Sequence, residues 1–263
     1  MCLLVLAWRC HPQYRLVIAA NRDEFHARSA APLAPWTDTS GVVGGRDLQA
    51  CGAWFAVDAS QRVGIVTNFR EFGRQRRGAP SRGALIPAYL SGPHTPGDYL
   101  QSLEADAPGY SGFNLLLADQ EALWYASNRA DTFARELPPG VYGLSNEFLD
   151  TPWPKLVRVR GRFEGLLHSA VSPDPEALSA GLFAMLADRE TALPDALPPG
   201  DLSPEWARKL SAPFVLDPGY GTRCSTVLTI SAKGALRITE RRFDAGGAQT
   251  GQSEHLLNGV DDR

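Results

Sequence analysis

The chain has 263 residues, of which 44% are hydrophobic and 21% charged, with a formal net charge of -3. These values are ordinary for a globular protein of one large domain or at most two, and they give no reason to expect nucleic acid as a partner. No apolar run reaches the roughly 18 residues of a membrane span, so none is predicted. The four cysteines show no CxxC spacing. The sequence therefore indicates neither a zinc site nor a disulfide framework, and we expect a cytoplasmic protein.

The first two predicted strands, Cys2–Trp8 and Tyr14–Ala20, flank a polar turn and are expected to pair as a hairpin. The second strand runs directly into Asn21-Arg22-Asp23-Glu24-Phe25. Pairing would place this charged cluster beside Cys2.

Residues 29 to 36 predict an irregular loop, and the glycine-rich stretch from 41 to 47 predicts a turn leading to a strand. Four strands are then expected to form two antiparallel pairs: Ala53–Val57 with Val63–Thr67, and Phe113–Ala118 with Ala122–Ala126. Between the two pairs, helices are predicted from Arg82 to Tyr89 and after Thr95-Pro96.

In the second half of the chain, a further strand is expected to end at Asn146, and two helices follow, Pro152–His168 and Pro175–Ala187. A long loop leads to a last hairpin, Val227–Ile230 with Ala235–Glu240. Strand–helix–strand alternation is missing, and several strands are apolar on both faces. These features favour an α+β fold with stacked sheets covered by helices.

The domain prediction is a single domain over residues 1–243 and a loosely held tail over 244–263, because the tail is rich in glycine and polar residues.

Five arginines lie in a segment interrupted by glycine and proline: Arg70, Arg74, Arg76, Arg77 and Arg82. Such a charge run is typical of a solvated loop. The alternative is a clamp for a carboxylate or phosphate, since the planar guanidinium suits both. In that interpretation Arg70 and Arg74, together with Arg22, are the substrate-binding candidates.

Cys2 is the candidate nucleophile. Initiator methionine is commonly removed before a small residue, which would leave Cys2 with a thiol and a free α-amine. Their reference pKa values of about 8.5 and about 7.7–8.0 allow one residue to serve as both nucleophile and base. The alternative is that Cys2 is simply a small apolar residue that opens a buried strand.

Four polar residues follow strand ends or precede strands from which they could reach Cys2: Asp23, Asn68, Asn146 and Arg223. A carboxylate would fix the amine, and amide donors would face an oxyanion at about 2.7–3.1 Å. An arginine beside the thiol would favour the thiolate. Taken singly, each residue is also typical of a cap or turn, so the prediction depends on their combination.

These residues resemble the NRDE family, which is related to the transport and Golgi organisation 2 (TANGO2-like) proteins. Four motifs carry the resemblance: Asn21-Arg22-Asp23-Glu24 after a Met-Cys start, Thr67-Asn68, Gly112-Phe113-Asn114-Leu115, and Tyr142-Gly143-Leu144-Ser145-Asn146 with Thr151-Pro152-Trp153-Pro154-Lys155. One departure is visible, because the family's usual Gly-Gly-Thr-Trp stands here as Cys51-Gly52-Ala53-Trp54.

The resemblance implies an N-terminal nucleophile (Ntn) hydrolase-like fold, a four-layer αββα sandwich of two stacked antiparallel sheets. It also implies that Cys2, Asp23, Asn68, Asn146 and Arg223 form the catalytic set. The early arginine of the related amidases falls on Ala20 here. Arg22 is the available substitute, but the strand pattern predicts that it lies on the other face.

The family resemblance implies two functions. The first is hydrolysis of a linear C–N amide bond through Cys2, with no metal or cofactor. The second is non-catalytic binding of haem or of an acyl-lipid or acyl-CoA ligand in the same cleft. Candidate axial ligands for haem are Cys2, His11, His26 and His94. The expected partners are therefore a small-molecule amide, haem or an acyl ligand.

Overall fold

The computed structural model describes residues 2–71, 78–169, 174–197 and 202–257. The strands within these ranges are β1 Cys2–Trp8, β2 Tyr14–Phe25, β3 Ala30–Pro35, β4 Val42–Asp47, β5 Phe55–Asp58, β6 Val63–Asn68, β7 Phe113–Ala118, β8 Leu123–Ser127, β9 Ala134–Glu136, β10 Gly140–Leu144, β11 Tyr220–Ser231, β12 Leu236–Phe243 and β13 Gln249–Leu257. The α-helices are α1 Leu85–Ser91, α2 Pro96–Leu103, α3 Pro154–Ser169, α4 Pro175–Leu186 and α5 Pro204–Lys209.

The strands form two antiparallel sheets. One is six-stranded in the order β10-β1-β2-β11-β12-β13, and the other is seven-stranded and runs in chain order from β3 to β9. The predicted hairpins β1–β2, β5–β6, β7–β8 and β11–β12 are all present.

The two sheets stack face to face, with helices on both outer sides. Leu4 and Leu6 of β1 point into the core between the sheets, whereas Leu3 and Val5 point toward α3 and α4. This alternation follows from the two-residue repeat of a strand, and it explains why β1 is apolar on both faces. Helices α1 and α2 cover the seven-stranded sheet. The α+β fold with two stacked antiparallel sheets and helices is therefore confirmed.

Strand β3 was not predicted, because residues 29–36 contain Pro32 and Pro35. The structure places this strand at the edge of the seven-stranded sheet, with a register shift between Ala31 and Ala34. Proline is tolerated on an edge strand because the missing N–H there need not pair with a neighbour. The glycine-rich stretch after it is likewise a strand, β4, rather than a turn.

The tail differs from the expectation over Gln249–Leu257, which pair with β12 as the outermost strand of their sheet. An edge strand with both faces largely exposed needs no apolar pattern, so the composition of this segment resembles that of a loop. Arg237 of β12 bonds Glu254 of β13 at 2.8 Å and supports this pairing. Strand β9 and helix α5 were also not predicted, because elements of three and six residues are too short to show periodicity.

Candidate active site

Cys2 opens β1 and is half-buried at one end of the space between the sheets. It lies opposite Arg22 of β2, and directly opposite residues project from the same face of a sheet. Since Leu4 faces the core between the sheets, the two-residue repeat places Cys2 and Arg22 on that same face. The expectation that Arg22 lies on the other face is therefore wrong.

Asn146 holds the backbone of Cys2. The Cys2 N–H donates to Asn146 Oδ1 at 3.1 Å, and Asn146 Nδ2 donates to the carbonyl of Asn68 at 2.9 Å. The backbone N–H of Arg70 donates to the carbonyl of Asn146 at 2.6 Å, and Ser145 Oγ donates to that of Cys2 at 3.2 Å. Asn146 thus connects the start of β1 to the end of β6, and its oxygen contacts the nitrogen that becomes the α-amine if Met1 is removed.

Asp23 is buried, with only 2% of its surface exposed. Its Oδ1 accepts a hydrogen bond from Thr222 Oγ1 at 2.7 Å, and its backbone carbonyl accepts one from the Tyr220 hydroxyl at 2.9 Å. Burial raises the pKa of the Asp23 carboxyl, and the positive charge of Lys155 is the strongest influence in the opposite direction. The structure therefore brings Asp23 and Cys2 to one site, and it adds Lys155 to them.

Lys155 lies in the first turn of α3 and is 4% exposed. Its Nζ makes no hydrogen bond to any residue of the described ranges. Burial lowers the pKa of its ammonium group, and the Asp23 carboxylate is the strongest influence that counteracts this. The sequence analysis gave Lys155 no role. Its position four residues before the buried Val159 was the available signal, because residues so spaced share a helix face.

The thiol of Cys2 is in a mixed electrostatic environment. Burial raises the pKa of the thiol, and the carboxylate of Asp23 raises it further. The Arg22 guanidinium and the backbone N–H of Asp23 lower it, because both stabilise the thiolate. The pKa of the thiol stays above its usual value because burial outweighs these influences, so a nearby base would favour its ionisation.

Arg22 is held in place by packing and by charge. Its guanidinium carbon lies 4.3 Å from the centre of the Trp54 ring, and its Nη2 is 3.5 Å from Asp47 Oδ2. The same Asp47 oxygen accepts a shorter bond of 2.5 Å from Arg28 Nε. The buried Nη1 of Arg22 has no hydrogen-bond partner among the described residues. Arg22 thus occupies the position beside the thiol that Arg223 was expected to take.

A cavity of about 300 Å³ opens at Cys2, and its walls include Arg22, Asp23, Asn68 and Arg82. Burial lowers the pKa of the Arg82 guanidinium, and the negative charge of a Cys2 thiolate is the strongest influence that counteracts this. The cavity therefore provides access to the sulfur beside an amide side chain and two guanidinium groups.

Arg223 is not among the described residues that line this cavity. Its Nη1 donates to the carbonyls of Phe25, His26 and Arg28 at 3.0, 3.1 and 3.1 Å. A register shift between Thr222 and Cys224 takes Arg223 out of the regular pairing of β11 with β2. The structure therefore does not bring Arg223 to the thiol, and this residue supports the segment after β2.

Arg70 is also not among the described residues that line the cavity, and its guanidinium carbon lies 4.8 Å from the centre of the Trp153 ring. Arg74 falls outside the described residues. Of the two substrate-binding candidates that the structure describes, Arg22 lines the cavity at Cys2 and Arg70 does not.

The candidate haem ligands do not converge with Cys2. No histidine is among the described residues that line the cavity. His26 Nε2 instead contacts the carbonyl of Asp217 at 3.1 Å. The described residues also hold no group of three or more metal-ligating side chains.

Comparisons with known proteins identify relatives over almost the whole chain. The family model described as "Transport and Golgi organisation 2" matches residues 1–245. The Transport and Golgi organization protein 2 homolog of Bos taurus is 34% identical over 257 residues, which are 92% of each chain. The Homo sapiens homolog is 31% identical, also over 92% of each chain, and the Drosophila melanogaster protein is 27% identical over 91% of each.

Among solved structures, the Caenorhabditis elegans N-acylethanolamine-hydrolyzing acid amidase (NAAA) ortholog matches with a TM-score of 0.46 and 12% identity, over 86% of this chain and 92% of that one. This similarity is too low to support an inference about activity. In the described part of the chain, no helix is long and apolar enough to cross a membrane.

Proposed function

The chain belongs to the transport and Golgi organisation 2 family, and we propose that it is an Ntn-type hydrolase that cleaves a linear C–N amide bond with Cys2 as nucleophile. One observation carries the proposal. The backbone nitrogen of Cys2 is held by Asn146 Oδ1 at 3.1 Å, while its sulfur borders a cavity that Asp23 and Arg22 also line. Removal of Met1 would convert that nitrogen into an oriented α-amine beside its own thiol.

The α-amine is the base in this scheme. Asp23 would hold the amine, and Lys155 already offsets the charge of Asp23, so the amine is not locked as an ammonium. The thiol proton passes to the amine, and the sulfur attacks the carbonyl carbon as the carbonyl π electrons move onto oxygen. The C–N bond then breaks, and the leaving nitrogen takes the proton back from the ammonium.

The resulting thioester on Cys2 is hydrolysed by the reverse use of the same groups. Water gives a proton to the α-amine and bonds the acyl carbon, the S–C bond breaks, and the sulfur regains the proton as the carboxylic acid leaves. Asn68 is among the residues that line the cavity, and Asn146 Nδ2 carries a second hydrogen besides the one bonded to the Asn68 carbonyl. We assign the oxyanion to these two amides, where one donor is worth roughly 10²–10³ in rate.

The test combines intact mass with trapping of the acyl-enzyme. The wild-type protein is expected to lack Met1 and to gain the mass of the acyl group on Cys2 when it is incubated with a panel of N-acyl amines. Cys2→Ala abolishes both the adduct and turnover. Cys10→Ala is the matched control, because Cys10 is exposed and outside the cavity. Retention of Met1, or full turnover by Cys2→Ala, would contradict the proposal.

Binding of an acyl ligand or haem without catalysis is the second candidate, and the guanidinium groups of Arg22 and Arg82 beside the cavity favour it. Both could meet a carboxylate or a phosphate of the ligand. Titration with haem should then shift the Soret band, and acyl-CoA should be retained on gel filtration. Neither result would be expected if the cavity serves hydrolysis of another class of amide.

A further inference from the structure

Three arginines of the described ranges line the cavity at Cys2, namely Arg22, Arg28 and Arg82, and they differ in how many partners they have. Arg28 is neutralised, because its Nε lies 2.5 Å from Asp47 and 3.9 Å from Glu24. Among the described residues, the side chain of Arg82 makes one hydrogen bond, from Nη1 to the carbonyl of Gly112 at 2.9 Å, and no carboxylate of those residues lies within 4.0 Å of it. Arg82 therefore has donor capacity that the surrounding protein does not use.

Arg22 lies opposite Cys2 in the neighbouring strand and adds positive charge to the surroundings of the thiol. It is only 6% exposed, its ring contact with Trp54 keeps it in place, and its one carboxylate partner, Asp47, is bonded more closely to Arg28. The buried Nη1 without a partner among the described residues shows that the protein has desolvated a guanidinium without fully compensating it. An unpartnered buried charge of this kind is costly unless another group supplies the counter-charge.

The charges around the cavity leave an excess of positive charge. Among the described residues that line it, three guanidinium groups are balanced by three carboxylates, so the excess comes from a fourth cation, the buried ammonium of Lys155. The positive charge of Lys155 offsets the negative charge of one of these carboxylates, Asp23. We assign the excess to Arg22 and Arg82, because Arg28 is bonded to Asp47 and the charge of Asp23 is offset by Lys155.

We propose that Arg82 and Arg22 form an anion subsite in the cavity at Cys2. The preferred ligand would then carry a carboxylate or phosphate close to the atom that contacts the Cys2 thiol. As a statement about the substrate, this inference rests on the proposed hydrolysis, and it restricts the substrate to amides that carry a negative charge. Anion binding itself requires neither turnover nor removal of Met1.

The test compares two alkylating reagents of nearly the same size on the same protein. Iodoacetate is anionic and iodoacetamide is neutral, and with either one the thiolate forms an S–C bond and displaces iodide. Peptide mass mapping gives the ratio of carboxymethylation to carbamidomethylation at each cysteine. Exposed Cys10 provides the internal reference, because it is not among the described residues of the cavity wall.

We expect the ratio at Cys2 to exceed that at Cys10 by about tenfold at low ionic strength, since a cleft of one charge concentrates the opposite ion. Inorganic phosphate should slow alkylation of Cys2 and leave Cys10 unaffected. Arg82→Met should bring the ratio at Cys2 close to the reference, and Arg82→Lys should retain part of the preference. Arg46→Met is the control, because Arg46 pairs with Asp38 and lies outside the described cavity wall.

Equal ratios at Cys2 and Cys10 in wild-type protein, or an unchanged ratio in both Arg82 variants, would overturn the anion subsite. Circular dichroism of the variants separates loss of the subsite from loss of the fold. Because the alkylation needs no turnover, a kept preference for iodoacetate in a protein without amidase activity would support the subsite while contradicting the proposed hydrolysis. The opposite pattern would leave the hydrolysis standing and remove its restriction to anionic amides.

Discussion

Lys155 of α3 and Asp23 of β2 are oppositely charged buried residues, and each is the strongest electrostatic influence that opposes the effect of burial on the pKa of the other. Their exposed fractions are 4% and 2%. Breaking a buried pair by removing one partner leaves an uncompensated charge, whereas removing both is far less costly. Substitutions at Lys155 and Asp23 should therefore have strongly non-additive effects on the free energy of unfolding.

The first prediction concerns that coupling. Lys155→Met should lower the free energy of unfolding by about 3–5 kcal/mol, because the charge of Asp23 then stays buried without its partner. The double variant Lys155→Met, Asp23→Asn should lose much less than the sum of the two single variants. Urea denaturation of the four proteins gives the coupling energy.

Lys209→Met serves as the control for loss of a lysine, since Lys209 pairs with Glu205 and Asp217 near the surface. It should leave the free energy of unfolding nearly unchanged, because surface ion pairs contribute little to stability. Additive effects of the Lys155 and Asp23 substitutions would show that the two charges do not interact.

The second prediction concerns Asn146. Asn146→Ala removes the acceptor of the Cys2 N–H and the donor to the Asn68 carbonyl, so it should cost about 1–3 kcal/mol in the free energy of unfolding. If the proposed hydrolysis is right, it should also reduce the rate of acyl-enzyme formation by roughly 10²–10³. Rapid mixing followed by mass analysis of the Cys2 adduct measures that rate.

Asn128→Ala is the matched control for this variant. The side chain of Asn128 likewise accepts a backbone N–H, from Phe113 at 2.8 Å, and donates to a carbonyl, that of Ala107 at 2.9 Å. It is not among the described residues of the cavity wall. A comparable loss of stability with no loss of rate is expected for it. Equal rates in the two variants would remove Asn146 from the reaction.

The sequence was sufficient for the main hairpins and for the stacked sheets, because strands that are apolar on both faces must be covered on both sides. It was insufficient for β3 and β13, which are edge strands. An edge strand is stabilised by backbone pairing along one side and needs no apolar repeat, so proline or polar residues hide it.

The same distinction applies to the candidate site. Asp23 and Asn146 were predicted because each directly follows or ends a strand whose position the hairpin pattern indicates. Arg223 was misplaced because a register shift in β11 turns it toward the segment after β2, and a single shift of this kind is not visible in sequence. Lys155 was missed because a lysine at a helix start is typically solvated, and its burial depends on how α3 packs on β1.

The third prediction concerns the packing of α3 against β10, which determines the position of Lys155. A Cβ added at Gly143 of β10 would lie 2.7 Å from Leu156 Cδ1 and 3.0 Å from its Cγ. Leu156 is 3% exposed, so its side chain is enclosed by its neighbours and must shift within the core to make room. Gly143→Ala should therefore lower the free energy of unfolding by about 1–3 kcal/mol, as overpacking does.

Gly161→Ala, in α3 itself, provides the opposite case. Gly161 is exposed, and a Cβ there would meet nothing within 4 Å. Alanine restricts the unfolded chain and favours the helix, so this change should raise the free energy of unfolding by about 0.5–1 kcal/mol. Chemical denaturation of both variants tests the pair, and a stable Gly143→Ala protein would show that α3 can shift away from β10.

The fourth prediction concerns alkaline stability and Tyr99 of α2. Its hydroxyl donates to the carbonyl of Leu85 at 2.8 Å, and burial raises its pKa to about 12 from the usual 10.0. Between these values the unfolded chain loses the phenolic proton while the folded protein keeps it. The free energy of unfolding therefore falls as the pH rises through this range, and the contribution of Tyr99 is complete below pH 10.

Tyr99→Phe removes this titration together with the hydrogen bond to Leu85, so it should cost about 1 kcal/mol near neutral pH and show a shallower decline between pH 10 and 12. The decline should not vanish, because burial also raises the pKa of Tyr89. Urea midpoints measured across the alkaline range for both proteins give the two slopes. Parallel slopes would mean that the Tyr99 hydroxyl ionises equally well in the folded and unfolded states.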